Sequence, residues 1–214
     1  MKNNITELVF IIDKSGSMCG MEEDTIGGFN SMIERQKKLD GKVYVSTVLF
    51  SNNSQVLHDR VGIEKIEPMT EMQYNVGGST ALFDAIGSAI KHIGNVHKYA
   101  REEDVPQHTM FIITTDGMEN ASHTYSSAEV KKMISRQEEK YGWEFLFVAA
   151  NIDALETARN IGIRKERAAN YEYSKKGTRN IYAAVDCAVS AMRCNEDIAE
   201  GWKEKLNVTE KEKN

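Results

Sequence analysis

The sequence predicts an α/β fold: a doubly wound, mostly parallel central sheet with one short antiparallel edge strand and helices on both faces. Three observations predict it. Apolar runs of strand length alternate with stretches of helical period along most of the 214 residues. The run at 8–13 is continuously apolar rather than alternating, the pattern of a strand buried on both faces, as parallel strands are. Two runs end in an aspartate, Asp13 and Asp116, and open α/β sheets bind ligands beyond the carboxyl ends of their strands, where the strand order reverses.

The elements follow in order. LVFIID (8–13) is the first buried strand. MEEDTIGGFNSMIERQKK (21–38) has helical character, weakened by Gly27 and Gly28. KVYVSTVLFS (42–51) is rich in β-branched residues and reads as a strand. SQVLHDRV (54–61) alternates and is shorter, which suits a hairpin partner at the sheet edge. In 80–100, Leu82, Phe83, Ile86, Ile90 and Ile93 form the stripe of an amphipathic helix. HTMFIITTD (108–116) is another buried strand. A helix over 126–140 opens on Ser126 with Glu129 three residues on, the pattern of a capping box. WEFLFVAAN (143–151) is a strand. A short helix over 153–162 has Asp153 as its cap and Gly162 as its stop. AANYEYS (168–174) supplies a last strand and 177–194 a closing helix. The domain is placed at 1–195. The remaining 196–214, ending in KEKLNVTEKEKN, reads as a charged tail that is partly helical or frayed, with Trp202 as a packing anchor.

Composition narrows the partners. The formal net charge is −5, which disfavours nucleic acid, since such domains carry a basic face. No apolar run approaches the roughly 20 residues needed to span a bilayer, so no membrane segment is expected. The first residues, MKNNITELVF, lack the long apolar region of a secretory leader. Cys19, Cys187 and Cys194 are odd in number and without metal-ligand spacing. A reduced, cytoplasmic protein is the simplest expectation.

Chemistry concentrates in three short stretches. In VFIIDKSGSM a strand delivers Asp13, and Ser15 and Ser17 follow with Gly16 between them. GGSTALFDAI places Thr80 at the start of a helix after Gly77 and Gly78. TTDGMEN sets Asp116 at the end of a third strand. Two carboxylates with neutral hydroxyls, and no obligatory His or Cys, are hard oxygen donors that select a hard cation. Mg²⁺ suits such a set because it prefers six oxygens and keeps some waters. Ca²⁺ usually takes more oxygens, and Mn²⁺ could substitute. The glycines would let the loops fold closely around one point.

These residues resemble a known family. DKSGSM resembles the Asp-x-Ser-x-Ser motif of von Willebrand factor type A (VWA) domains, GGSTALFDAI their threonine loop, and TTDGMEN their second aspartate loop, in the same order over roughly 5–195. The resemblance implies a Rossmann-like VWA domain with a metal-ion-dependent adhesion site made by Asp13, Ser15, Ser17, Thr80 and Asp116. Ser79 falls outside the family pattern. The resemblance further implies binding rather than turnover: the bound Mg²⁺ keeps one position free for a Glu or Asp side chain of a partner protein. The compact chain resembles intracellular bacterial or phage-like members, which often serve multi-protein complexes.

Two other readings remain beside that one. Asp13 after a first strand could accept a phosphoryl group in a Mg²⁺-dependent enzyme. Such phosphatases usually need a second Asp two residues on, where this chain has Ser15, so no enzyme is expected. Nor does a G-x-S-x-G elbow or a nucleotide-binding glycine motif occur. Alternatively, a scaffold could carry a purely structural metal. Among lesser candidates, Glu119 and Asn120 lie where they could meet a partner or simply line a solvated loop. Asn151 and Asp153 sit at a possible rim, Cys19 reads as a partly buried structural thiol, and the five histidines read as surface or edge residues.

Overall fold

The computed structural model describes residues 4–150 and 153–207. Six strands form one sheet in the order β3-β2-β1-β4-β5-β6. They are β1 Ile5–Asp13, β2 Lys42–Phe50, β3 Ser54–Gly62, β4 His108–Thr115, β5 Glu144–Ala149 and β6 Ala168–Asn170. The helices are α1 Glu22–Gln36, α2 Leu82–Tyr99, α3 Ser127–Tyr141, α4 Ala154–Asn160 and α5 Lys175–Arg193. All pairings are parallel except β2 with β3. The antiparallel edge strand is therefore present, but it runs nine residues, as long as β2. Its register shifts between the pairs Val45 and Thr47, and Arg60 nearby takes a positive φ of 50°. Such irregularities twist an edge away from unwanted pairing.

The alternation of β1 sorts the core into two layers. Leu8, Phe10 and Ile12 pack with Phe29, Met32, Tyr182 and Val185 from α1 and α5. Val9 and Ile11 pack with Leu82, Ile86 and Ile90 of α2, Val130 and Ile134 of α3, and Ala154 and Ala158 of α4. Each fully buried Val, Leu, Ile, Phe or Met among them contributes roughly 1.5–3 kcal/mol relative to exposure. Helix ends use the residues the sequence supplies. Ser126 and Glu129 form the capping box of α3, Gly142 ends it at φ 66°, and Asp153 caps α4 by accepting from Glu156 N.

Several features lay beyond sequence patterning. Glu7 is fully buried in β1, where Arg60 Nε donates to its carboxylate at 2.8 Å and His97 Nε2 lies 3.2 Å away. His97 is thus an interior residue, not a surface one, and burial lowers the pKa of half-buried His58. Cys19 is exposed rather than partly buried. The last strand is three residues, because the chain turns at Ser174, whose hydroxyl accepts from Gly177 N to cap α5. Past residue 195 the chain stays on the domain: Ile198, Trp202 and Leu206 are buried in the α1–α5 layer, and Trp202 Nε1 donates to Glu166 O at 3.1 Å. Asn151 lies outside the described residues. Among the described residues no helix is long and apolar enough to cross a membrane.

Candidate functional site

Strand order reverses between β1 and β4. After β1 the chain adds β2 and β3 on one side, then returns to place β4 on the other. The carboxyl ends of β1 and β4 are neighbours in register, Ile12 opposite Thr114, so the crevice that open α/β sheets use for ligands falls between Asp13 and Asp116.

Asp13 is fully buried and held on both oxygens. Ser15 N donates to Oδ1 at 2.7 Å, and Thr115 Oγ1, from the adjacent strand end, donates to Oδ2 at 2.5 Å. Tyr74, buried beneath, donates its hydroxyl to Asp13 O. After Asp13 the chain makes one 3-10 turn, Gly16–Met18, which brings the hydroxyls of Ser15 and Ser17 to 3.1 Å from each other. Ser17 Oγ then donates to Asp116 Oδ1 at 2.6 Å.

The Thr80 loop is zipped to this turn by backbone bonds. Gly77 N donates to Lys14 O at 2.8 Å, and Gly16 N to Gly78 O at 2.9 Å. Gly78 has φ 83°, and a Cβ there would stand 2.5 Å from Asn52 Oδ1, so both its conformation and its space require glycine. Gly16 has no positive φ, and a Cβ there would meet Gly78 O at 3.4 Å, at the near limit of ordinary contact. Asn120 clasps Thr80 from the third loop: its Oδ1 accepts from Thr80 N, and its N donates to Thr80 O.

The five residues singled out in the sequence therefore converge. A Cβ built on Gly117 would stand 3.0 Å from Thr80 Oγ1, 3.1 Å from Ser17 Oγ and 3.9 Å from Ser15 Oγ. Three hydroxyls thus surround the residue next to Asp116, and only glycine leaves that centre open. Ser17 is exposed, whereas Asp13, Ser15, Thr80 and Asp116 lie buried beneath it. Ser79 points its backbone N–H at Asn52 Oδ1 and belongs to the loop's own bracing.

The electrostatics are those of a site short of positive charge. Burial pushes the Asp116 carboxyl up to about 6, the nearby Asp13 carboxyl adds to that, and the Ser17 hydrogen bond opposes it. Burial likewise raises Asp13 above the usual carboxylate range, against hydrogen bonds from Thr115 and Ser15. No Lys, Arg or His forms an ion pair with either carboxylate among the described residues. Asp116 Oδ2 is buried with no hydrogen-bond partner. A buried carboxylate oxygen without a donor is costly, on the order of 1–3 kcal/mol or more, and calls for an unplaced cation or water. Two carboxylates and three hydroxyls around an orphaned oxygen fit a hard divalent ion. No cluster of three or more His, Cys, Asp or Glu suited to a metal occurs among the described residues; the donors here are mostly alcohols.

Glu119, which by sequence could meet a partner or line a solvated loop, braces the backbone. The residue before α2 is Ala81, which has no side-chain acceptor. Glu119 Oε2 accepts from Phe83 N instead, while Oε1 accepts from Ala121 N and Ser122 N. Asp84, which sequence reasoning passed over, binds the N–H groups of His123, Thr124 and Tyr125. Burial would raise its pKa, but those three donors outweigh it and hold it below the ordinary value. Asp84 is an acid in the first turn of α2, and spacing alone cannot show that the backbone of 123–125 lies opposite it.

No family model matches the sequence, and no curated protein does. Solved structures do match in fold. Proximal thread matrix protein 1 from the mussel byssus superposes with a TM-score of 0.59 at 16% identity, over 87% of this chain and 47% of that one. Manganese-loaded TRAP protein of Plasmodium vivax gives 0.56 at 17% identity, over 81% of this chain and 70% of that one. A von Willebrand factor type A structure from Catenulispora acidiphila gives 0.56 at 11% identity, over 87% and 42%. The chain spans about half the length of the mussel protein and less of the Catenulispora one. With its six-stranded, mostly parallel sheet and antiparallel edge, this chain has the α/β fold of von Willebrand factor type A domains.

Proposed function

We propose that the chain is a divalent-metal-dependent protein-binding module. Asp13, Ser15, Ser17, Thr80 and Asp116 would hold Mg²⁺, with Mn²⁺ or Ca²⁺ as possible substitutes, in a metal-ion-dependent adhesion site. The ion supplies a Lewis-acidic position that an acidic side chain of a partner protein completes. The observation that carries the reading is the orphaned, buried Asp116 Oδ2 in a cluster of two carboxylates and three hydroxyls that no Lys, Arg or His among the described residues pairs with. A manganese-loaded protein of the same fold is in keeping with it.

The chain's own residues do the rest. Thr115 and Ser15 N orient Asp13, and the zipped glycine loops hold Thr80 near Ser17. Ser17 is the exposed member through which an outside group reaches the buried four. Exposed Met118 beside Gly117, and Tyr173, whose hydroxyl donates to Ser17 O at 2.6 Å, offer apolar contact to whatever flanks the partner's acid. Both Asp13 oxygens are occupied and the residue is buried, which favours a ligand over a phosphoryl-accepting nucleophile. The three unpaired cysteines suit a reducing, cytoplasmic setting, and a binding module suits a role within a multi-protein complex of a bacterial cell.

The test is a pull-down from the host with Mg²⁺ or with chelator, using Asp13→Asn as control. Partner capture lost on chelation and in the variant supports the reading. Capture that survives chelation makes the metal structural, and Mg²⁺-dependent aryl-phosphate turnover lost in Asp13→Asn makes the chain an enzyme.

A further inference from the structure

The other end of the sheet carries a cavity of about 500 Å³, between the C-terminal halves of α2 and α3 and the start of β5. That volume lies within the roughly 300–1,000 Å³ range of small-molecule sites. Its floor is apolar and aromatic: Ile90, Gly94, His97, Met133 and Trp143. The floor is also fixed. Trp143 stacks on Phe111 with ring centres 5.3 Å apart, and His97 meets it edge-on at 5.3 Å. Behind His97 stands the buried Glu7, 3.2 Å from Nε2, which sets the ring's orientation. A wall of pinned rings needs no rearrangement to receive a flat group.

Its charge runs against that of the molecule. The chain carries a formal net charge of −5, yet Lys91, Lys98 and Arg136 line this cavity and, among the described residues, no carboxylate does. All three cations are exposed at its mouth.

Gly94 gives the second, independent sign. Two glycines of α2 compare directly. At Gly87 a Cβ would stand 2.6 Å from the Tyr125 ring, so packing demands glycine. At Gly94 the nearest atoms would be Gln137 Nε2 at 3.6 Å and Trp143 at 3.9 Å, ordinary contact distances. Alanine would fit there and would stabilise the helix by about 0.5–1 kcal/mol. What glycine does at 94, and a side chain would not, is leave the space above the Trp143 edge open.

We infer that this cavity is a binding site for a small organic anion with a flat apolar body, of the aryl carboxylate class. The ring lies against Trp143 and Met133, over Gly94, and the carboxylate faces Lys91, Lys98 and Arg136. The site shares no residue with the carboxylate–hydroxyl cluster and stands without it.

The probe is naphthalene-2-carboxylate, with neutral naphthalene-2-carboxamide beside it, followed through the two tryptophan indole N–H signals in NMR titrations. Saturable one-to-one binding that moves Trp143 and leaves Trp202 still is expected, with the carboxamide at least tenfold weaker. Gly94→Leu abolishes both. Should that variant not fold, Lys98→Glu with Arg136→Glu, two exposed positions, decides: carboxylate affinity falls at least tenfold and carboxamide affinity does not. No saturable shift at Trp143, equal affinity for both probes, or carboxylate binding unchanged by the charge reversal overturns the inference.

Discussion

Ser17 Oγ donates to Asp116 Oδ1 at 2.6 Å, joining the loop after β1 to the loop after β4. The bond occupies one Asp116 oxygen and leaves the other, buried, without a partner. On the proposed reading, a divalent ion held by both residues would turn the Ser17 hydroxyl hydrogen away and stand in its place as the positive charge seen by the carboxylate. Asp13→Asn keeps the shape and one of the two acceptor oxygens but removes one of two negative charges. We expect it to weaken Mg²⁺ or Mn²⁺ binding at least tenfold by isothermal titration, with the circular dichroism spectrum unchanged because the sheet beneath is packed on both faces. Wild-type affinity in Asp13→Asn removes the metal site.

The pH dependence of stability follows from Asp116. Its carboxyl titrates near 6 in the folded protein, through burial first and then Asp13, against an ordinary value of 3.8. The folded chain therefore holds this proton more tightly than the unfolded chain. The cost of ionising it is fully present above pH 6, falls as pH drops through 6, and is gone below 3.8. It amounts to roughly 2–3 kcal/mol when complete. Asp13, also raised by burial, acts with the same sign. Metal-free protein should thus be more stable to urea at about pH 5 than at about pH 7, by on the order of 1–2 kcal/mol. Saturating Mg²⁺ should remove or invert that difference, and Asp116→Asn should shrink it. A metal-free protein that is less stable at the lower pH contradicts the assignment.

Arg193 ties the end of the last helix to the end of the first. Its guanidinium donates to Gln36 O and Oε1, both at 2.7 Å, and to Leu39 O and Asp40 O, both at 3.0 Å. Gln36 O, the last carbonyl of α1, also accepts from Leu39 N at 3.3 Å, and Leu39 O and Asp40 O belong to the turn that follows the helix. Gln36 Nε2 in turn donates to Asp186 and Ser190 of α5. Arg193→Met retains much of the apolar stem but strands those acceptors. A loss of about 2–4 kcal/mol in chemical denaturation is expected, since bonds from a charged donor carry more than neutral ones. A loss below about 1 kcal/mol would mean that water serves the carbonyls as well.

How much of this could be read in the sequence depended on the range of the signal. Asp13, Ser15 and Ser17 sit within one turn of chain, so their convergence is local, and Thr80 and Asp116 follow from strand and helix ends that hydrophobic pattern marks well. The Ser126 and Glu129 box is equally local. Glu7, Arg60 and His97 meet across three elements, with Arg60 53 positions and His97 90 positions after Glu7, and nothing in the spacing links them. The same holds for Glu119 at the head of α2, whose role depends on Ala81 having no acceptor of its own. Trp202 could be named as an anchor from its type, but its carbonyl partner, Glu166 O, could not.

The glycine pair in α1 divides along the same line, and it can be measured. Both weaken a helix on propensity alone, so the sequence cannot tell them apart. Gly27 is exposed, and a Cβ there would have nothing within 4 Å. Gly28 is buried, and a Cβ there would stand 2.3 Å from Cδ2 of Tyr182, a ring fully enclosed by the α1–α5 layer and packed against Phe29 at 6.4 Å. Gly27→Ala should therefore raise stability by about 0.5–1 kcal/mol, the ordinary gain from removing a helix-interior glycine. Gly28→Ala earns the same local gain but forces Tyr182 or α5 to shift, an overpacking cost of about 1–3 kcal/mol, so its net effect is destabilising. Thermal or urea unfolding of the two variants reads the sign directly. Equal effects from both would mean that α1 and α5 yield to each other freely, and the close packing that fixes the first helix beneath the Asp13 loop would have to be given up.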